Sequence, residues 1–237
     1  MGSVWKIRVN LLAIGISVLV CLTSSAFGAS AKPHIVNFGK WTPVPMSDMS
    51  APEKSEHVKV RALLVDARVK EFTLGAPHEV TDRVFVVQRA FRINDSLPQE
   101  SSAAPRWEWQ RGGWILVDRL TGRVSPINLP DFDAFVSAVS WYRDYAAYCG
   151  ISDDGKQMFG VVARINRRKP IVKWLMEETK DAAEPQPHHA VCKAPDWQRS
   201  PARVTFEGNA DLKRSYAIRS HAADLIVEET EEEEAEK

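Results

Sequence analysis

Asp131 and Asp133 stand two residues apart, with Asp144 not far behind. Paired carboxylates are the groups that acid–base hydrolysis of a glycosidic or ester bond uses. Asp131 and Asp133 fall between strand-like segments, however, where aspartate side chains commonly bond local backbone N–H groups. Asp153 and Asp154 precede Gly155 and belong to a hairpin turn by the same logic. Asp144 suits a donor-satisfying or turn-capping role as well as a catalytic one. His188, His189 and Cys192 offer imidazole and thiolate close together, but a closed zinc site wants four ligands at a recognisable spacing. No CxxC or HxxxH partner supplies the rest, so neither a metal nor a cofactor is expected. HExxH, GxSxG, GxGxxG and Walker motifs are also absent.

Aromatic residues offer a different chemistry. Trp107, Trp109, Trp114, Trp141, Tyr142, Tyr145 and Tyr148 crowd into one stretch. On a strand, Trp107 and Trp109 project from one face. If exposed, they form a platform for a sugar ring or another flat apolar ligand, rimmed by Arg106 and Arg111. The competing expectation is that these indoles anchor a β-core. Arg164, Arg167, Arg168 and Lys169 make the densest basic patch, suited either to a polyanion or to a solvated hairpin tip.

The elements that must position these residues read as β-structure. Val58–Leu64 alternates apolar and charged residues, Val69–Leu74 follows a turn at Asp66, and Phe85–Ile93 is a third strand. In that third strand, strict alternation puts Phe85, Val87, Phe91 and Ile93 on one face. Trp114–Val117 and Val124–Ile127 flank a Thr121-Gly122 turn. Val136–Trp141, Tyr145–Ile151, Met158–Arg164 and Ile171–Trp174 then follow at short intervals, and Leu175–Ala183 is expected to form a short helix. Arg203–Phe206 and Tyr216–Val227 are read as the last strands.

Composition agrees with a globular chain: 237 residues, 44% hydrophobic and 26% charged. Such values exclude a wholly disordered, collagen-like or polytopic membrane protein. The net charge of +0 is unevenly spread. Residues 32–223 hold 28 basic against 23 acidic residues, a net of about +5, far short of a nucleic-acid-binding footprint. Residues 228–237 are an acidic run with almost nothing to bury, expected to stay solvated and disordered.

Residues 1–31 carry the marks of a secretory signal. Lys6 and Arg8 form a charged start, Leu11–Leu22 is a short run of apolar and small residues, and cleavage is expected after Gly28 or Ala31. A run of about 12 residues is too short for a bilayer-spanning helix, so no stable transmembrane span is expected. An exported chain, periplasmic or extracellular, would keep Cys149 and Cys192 in an oxidising compartment, where one disulfide is the simplest outcome. Its loop of about 43 residues would be worth about 3–4 kcal/mol by the chain-entropy argument.

The four-strand reading of Phe135–Trp174, with its Ser140-Trp141-Tyr142-Arg143-Asp144 junction and Asp154-Gly155 turn, resembles a blade of a β-propeller. Val117–Gly122 resembles the outer hairpin of a preceding blade. The resemblance covers residues 114–174 and implies stacked four-stranded sheets, with at most about four blades in a chain of this length.

The expected fold is therefore all-β and mainly antiparallel, propeller-like or a β-sandwich, with at most one short helix. Residues 32–56 are read as an extended lead-in and 57–227 as the domain. The expected function is a non-catalytic binding or interaction protein of the cell envelope, with an unknown envelope ligand and no nucleic-acid partner. The alternative is a secreted hydrolase using Asp131, Asp133 or Asp144.

Overall fold

The computed structural model describes residues 33–46, 56–94, 96, 105–178, 193–208 and 213–226. The segment 1–31 expected to be a secretory signal, the His188-His189-Cys192 group and the acidic run 228–237 lie outside the described residues. What is described belongs to one compact unit, Pro33–Lys237.

Among the described residues fifteen strands form three sheets, and no helix is present. The first sheet holds β1 (Val36–Phe38), β2 (Thr42–Met46), β3 (Glu56–Val65), β4 (Arg68–Glu79), β5 (Val84–Asn94), β6 (Trp107–Asp118) and β7 (Arg123–Pro126). Pairing runs β1-β3-β2-β6-β5-β4, with β7 beside β6 and a further pairing between β3 and β4. The partners β2, β3, β4, β5 and β6 thus form a circuit, joined at one point by the parallel bridge Met46↔Trp109. β1 and β2 fall in the stretch read as a lead-in. They are extended as expected, but they are paired into the sheet, and Val44 and Met46 are core residues.

Irregularities in the ladders bend this sheet. Register shifts interrupt β3–β4 at Leu63/Leu64, β4–β5 between Leu74 and His78, and β5–β6 between Gln88 and Ala90. A bulge reverses which side chains face inward. The extra residues lie in β4 and β6, so β5 itself keeps its alternation: Phe85 and Val87 enter one apolar cluster and Ala90, on the other face, enters another, while Phe91 and Ile93 are half-buried.

The hairpin joining β3 to β4 turns on Asp66 and Ala67, at φ 51° and 63°. Both central residues at positive φ is the type I′ arrangement that suits hairpin twist and favours glycine. Asp66 tolerates it and is held by its neighbours. Its carboxylate accepts from His34 Nδ1 at 2.6 Å and from the Ile35 N–H at 3.0 Å, bonds that also lower its pKa. Ala67 has no such compensation, so Ala67→Gly is expected to stabilise the protein by about 0.5–1 kcal/mol, read as a raised urea midpoint at unchanged m.

The middle sheet is an antiparallel meander of β8 (Ser140–Tyr142), β9 (Tyr145–Ile151), β10 (Gln157–Arg164) and β11 (Val172–Glu178). The third is a second meander of β12 (Asp196–Arg199), β13 (Ala202–Glu207), β14 (Lys213–Arg219) and β15 (Ala222–Ile226). β11 continues through Leu175 to Glu178, replacing the expected start of a helix. The reason is local: Leu175 and Trp174 pair with Phe159 and Gly160, so cross-strand bonds take the backbone.

β9 is buried from Tyr145 to Gly150 because both of its faces are covered. On one, Tyr145 and Ala147 join Val162, Val172 and Trp174 against Val204, Phe206, Tyr216 and Ile218 of the third sheet. On the other, Ala146 and Tyr148 join Val161, Ala163 and Leu129, with Trp114 of β6 packed against them. Two four-stranded sheets packed face to face are sandwich-like. The strands assigned to a blade do form one four-stranded meander, but the preceding hairpin, β6–β7, belongs to the bent first sheet rather than to a second blade.

Candidate functional site

The three candidate carboxylates are each held in a structural role. Asp131 occupies a positive-φ turn position (54°), its carbonyl accepts the Ile151 N–H at 2.8 Å, and its carboxylate pairs with Lys173 Nζ at 2.8 Å. Asp133 Oδ1 accepts the N–H groups of Phe135 (2.7 Å) and Val136 (3.3 Å), and the Ser137 hydroxyl accepts the N–H of Asp133 itself. Val136–Ser137 therefore continues this turn, and β8 starts only at Ser140. Asp144 sits in the β8–β9 hairpin, and its carboxylate accepts from Arg164 Nε across the sheet. That pairing holds the Arg164 guanidinium more firmly in its protonated form. Asp154 closes the β9–β10 turn by accepting from the Ser152 hydroxyl and the Lys156 N–H, as expected of a hairpin aspartate.

Tyr148 and Ser137 bring buried hydroxyls to these loops, and the Ser137 hydroxyl donates to the Cys149 carbonyl at 2.6 Å. Tyr148 is fully buried and donates to the Pro130 carbonyl at 2.7 Å. Burial, with the charge of Asp131 adding to it, drives its pKa well above that of a free phenol. It is a locked donor that pins the Leu129–Asp133 loop to β9.

Trp107 and Trp109 open β6 opposite Asn94 and Arg92 of β5. Trp109 packs edge-on against Phe72, with ring centroids 5.1 Å apart, at the margin of the first-sheet core. Trp107 remains 56% exposed. The cation that spans both indoles is Arg92, whose guanidinium carbon lies 5.6 Å from one ring centroid and 5.3 Å from the other. This cross-strand residue was missed because its role depends on the β5–β6 register, which sequence spacing does not reveal.

The basic patch forms the β10–β11 turn. Ile165 is buried and its N–H bonds to the Asp144 carbonyl, Asn166 turns the chain at φ 64°, and the Ile171 N–H returns to Val162 O. Between these anchors Arg167, Arg168 and Lys169 are exposed. They line a pocket of about 390 Å³ with Arg164, Pro170, Ile171 and His221. His221 comes from the β14–β15 turn of the third sheet, which docks here because Tyr145 Oη donates to the Ser220 carbonyl at 2.6 Å. Arg164 Nη1 lies 3.0 Å from His221 Nδ1, making that nitrogen the acceptor. Sequence reading found the cations but not the pocket, whose fourth wall is 57 residues away.

Cys149 is buried in β9 with its sulfur 3.9 Å from Met176 Sδ, whereas Cys192 is outside the described residues. Among the described residues no three His, Cys, Asp or Glu side chains gather as metal ligands, and no helix is long and apolar enough to cross a membrane.

The class these features define is an all-β protein of packed, mostly antiparallel sheets with an exposed aromatic–cation edge and a cation-lined pocket. Compared with family models, with curated proteins and with solved structures, the chain matches none.

Proposed function

We propose that this is an exported, non-catalytic binding protein of the cell envelope that contacts its ligand through Trp107, with Trp109 and Arg92 supporting the surface. The observation that carries the reading is the exposure of Trp107 beside a guanidinium already placed over its ring. A large indole left in water forgoes burial worth a few kcal/mol, and an aromatic–cation surface is a recognised way to hold a sugar or another flat ligand. Trp109 is the rigid base of this surface, since Phe72 fixes its ring from behind. The engagement of Asp131, Asp133 and Asp144 in turns and ion pairs favours binding over the alternative of carboxylate-driven hydrolysis.

Export rests on Lys6, Arg8 and the apolar run of the first 31 residues. A Cys149–Cys192 disulfide belongs with that reading, because export would carry both cysteines into an oxidising compartment.

The test is a glycan panel probed with the protein and with Trp107→Ala. The expected result is saturable binding to at least one envelope glycan, weakened about tenfold or more in the variant. Binding unchanged by the substitution would remove Trp107 from the site. Turnover of a chromogenic glycoside or ester that is lost on Asp144→Asn would turn the reading toward the hydrolase.

A further inference from the structure

We propose a second ligand site, separate from the aromatic edge: the pocket between the β10–β11 turn and the β14–β15 turn takes a phosphorylated, sugar-sized group. Four cations approach it, Arg164, Arg167, Arg168 and Lys169. Arg164 is matched by Asp144 and braced against His221. Among the described residues no carboxylate pairs with Arg167, Arg168 or Lys169, so the pocket carries about three unmatched positive charges.

Like charges are not gathered this closely without cost, and a doubly charged tetrahedral anion relieves that repulsion better than a single carboxylate. Adjacent guanidinium groups also offer the forked donors that phosphate oxygens accept in pairs. The size is informative. About 390 Å³ is within the range of small-molecule pockets and much more than a bare phosphate fills. Pro170 and Ile171 give the wall an apolar portion against which the carbon skeleton of the ligand can lie.

The turn is well built to present these groups. Ile165 anchors it in the core, and the Ile165 and Ile171 N–H groups tie its two ends to Asp144 and Val162 at 2.9 and 2.7 Å. The cations therefore project from a braced loop rather than from a loose one. His221 reaches the pocket only because the third sheet is docked on the middle sheet, so an intact site reports that docking.

A phosphorylated sugar unit occurs both as a free molecule and as a lipid or polymer headgroup, and the test separates these sources. Calorimetric titration of the full chain uses glucose 1-phosphate, glucose, inorganic phosphate, and vesicles of phosphatidylinositol 4-phosphate mixed with phosphatidylcholine. The expected result is saturable binding of glucose 1-phosphate, no binding of glucose, weaker binding of phosphate alone, and affinity that falls as salt rises. Arg167→Ala with Arg168→Ala should weaken binding by about tenfold or more. Both side chains are exposed turn residues, and thermal unfolding of the double variant checks that the fold is kept. Lys169→Glu provides a second, independent loss.

Binding to the anionic vesicles that the same variants abolish, without binding of the free sugar phosphate, places the phosphate on a lipid. Failure of both probes, or binding indifferent to all three substitutions, overturns the proposal. Trp107→Ala should leave this binding unchanged, so the two sites fail or stand separately.

Discussion

Phe206→Ala is expected to destabilise the protein by about 3–5 kcal/mol, seen as a lower urea midpoint. Phe206 is 1% exposed and lies where the third sheet meets the middle one. Its ring is edge-on to Trp174 at 6.4 Å and to Tyr216 at 6.2 Å, so one side chain links β11, β13 and β14. The ring also occupies the hollow above Gly160, where an added Cβ would stand 3.0 Å from its Cδ1. Removing it opens a cavity that neighbours tied into two hydrogen-bonded meanders cannot close. Phe135→Ala, at a side chain 39% exposed, is the matched control and should cost less than about 1 kcal/mol. A Phe206 loss as small as the control would mean that the two sheets do not dock through this face.

Gly150→Val should destabilise by about 3 kcal/mol, for the opposite reason. A Cβ at Gly150 would lie 2.9 Å from both Cβ and the carbonyl oxygen of Asp131, and 3.1 Å from Val161. The Asp131 backbone cannot retreat easily, because its carbonyl accepts the Ile151 N–H and its carboxylate holds Lys173. Overpacking against main chain costs more than against a flexible side chain, and the displaced loop would also strain the Tyr148–Pro130 bond. Chemical denaturation of the variant measures this. Stability within about 0.5 kcal/mol of the parent would show that the Leu129–Asp133 loop yields freely.

Much of the architecture was legible because its signals are local. Asp154-Gly155, with Gly155 at φ 71°, marks a hairpin through backbone preference alone. The apolar run Tyr145–Gly150 marks a strand covered on both faces. β1 and β2 were harder to see: β1 has three residues, β2 includes Pro43 and Pro45, and both gain their order from pairing with β3. The bulge at Gln88/Ala90 was invisible for a related reason, since it depends on Gly112 across the ladder. There a Cβ would stand 3.1 Å from the Arg89 carbonyl. Candidate sites divide in the same way. Trp107, Trp109 and the arginine run could be named from spacing, whereas Arg92 and His221 join them only through strand register and sheet docking.

The third sheet ends at β15, which among the described residues pairs only with β14. Such a margin offers free amide and carbonyl groups to another copy of itself, and Leu225, 49% exposed, adds an adhesive side chain. Directly after this strand the sequence turns acidic, with seven glutamates between Glu228 and Glu236. Seven like charges next to the strand in sequence are expected to oppose strand-to-strand pairing of two copies at neutral pH. That opposition is electrostatic, so acidification or concentrated salt is expected to promote association.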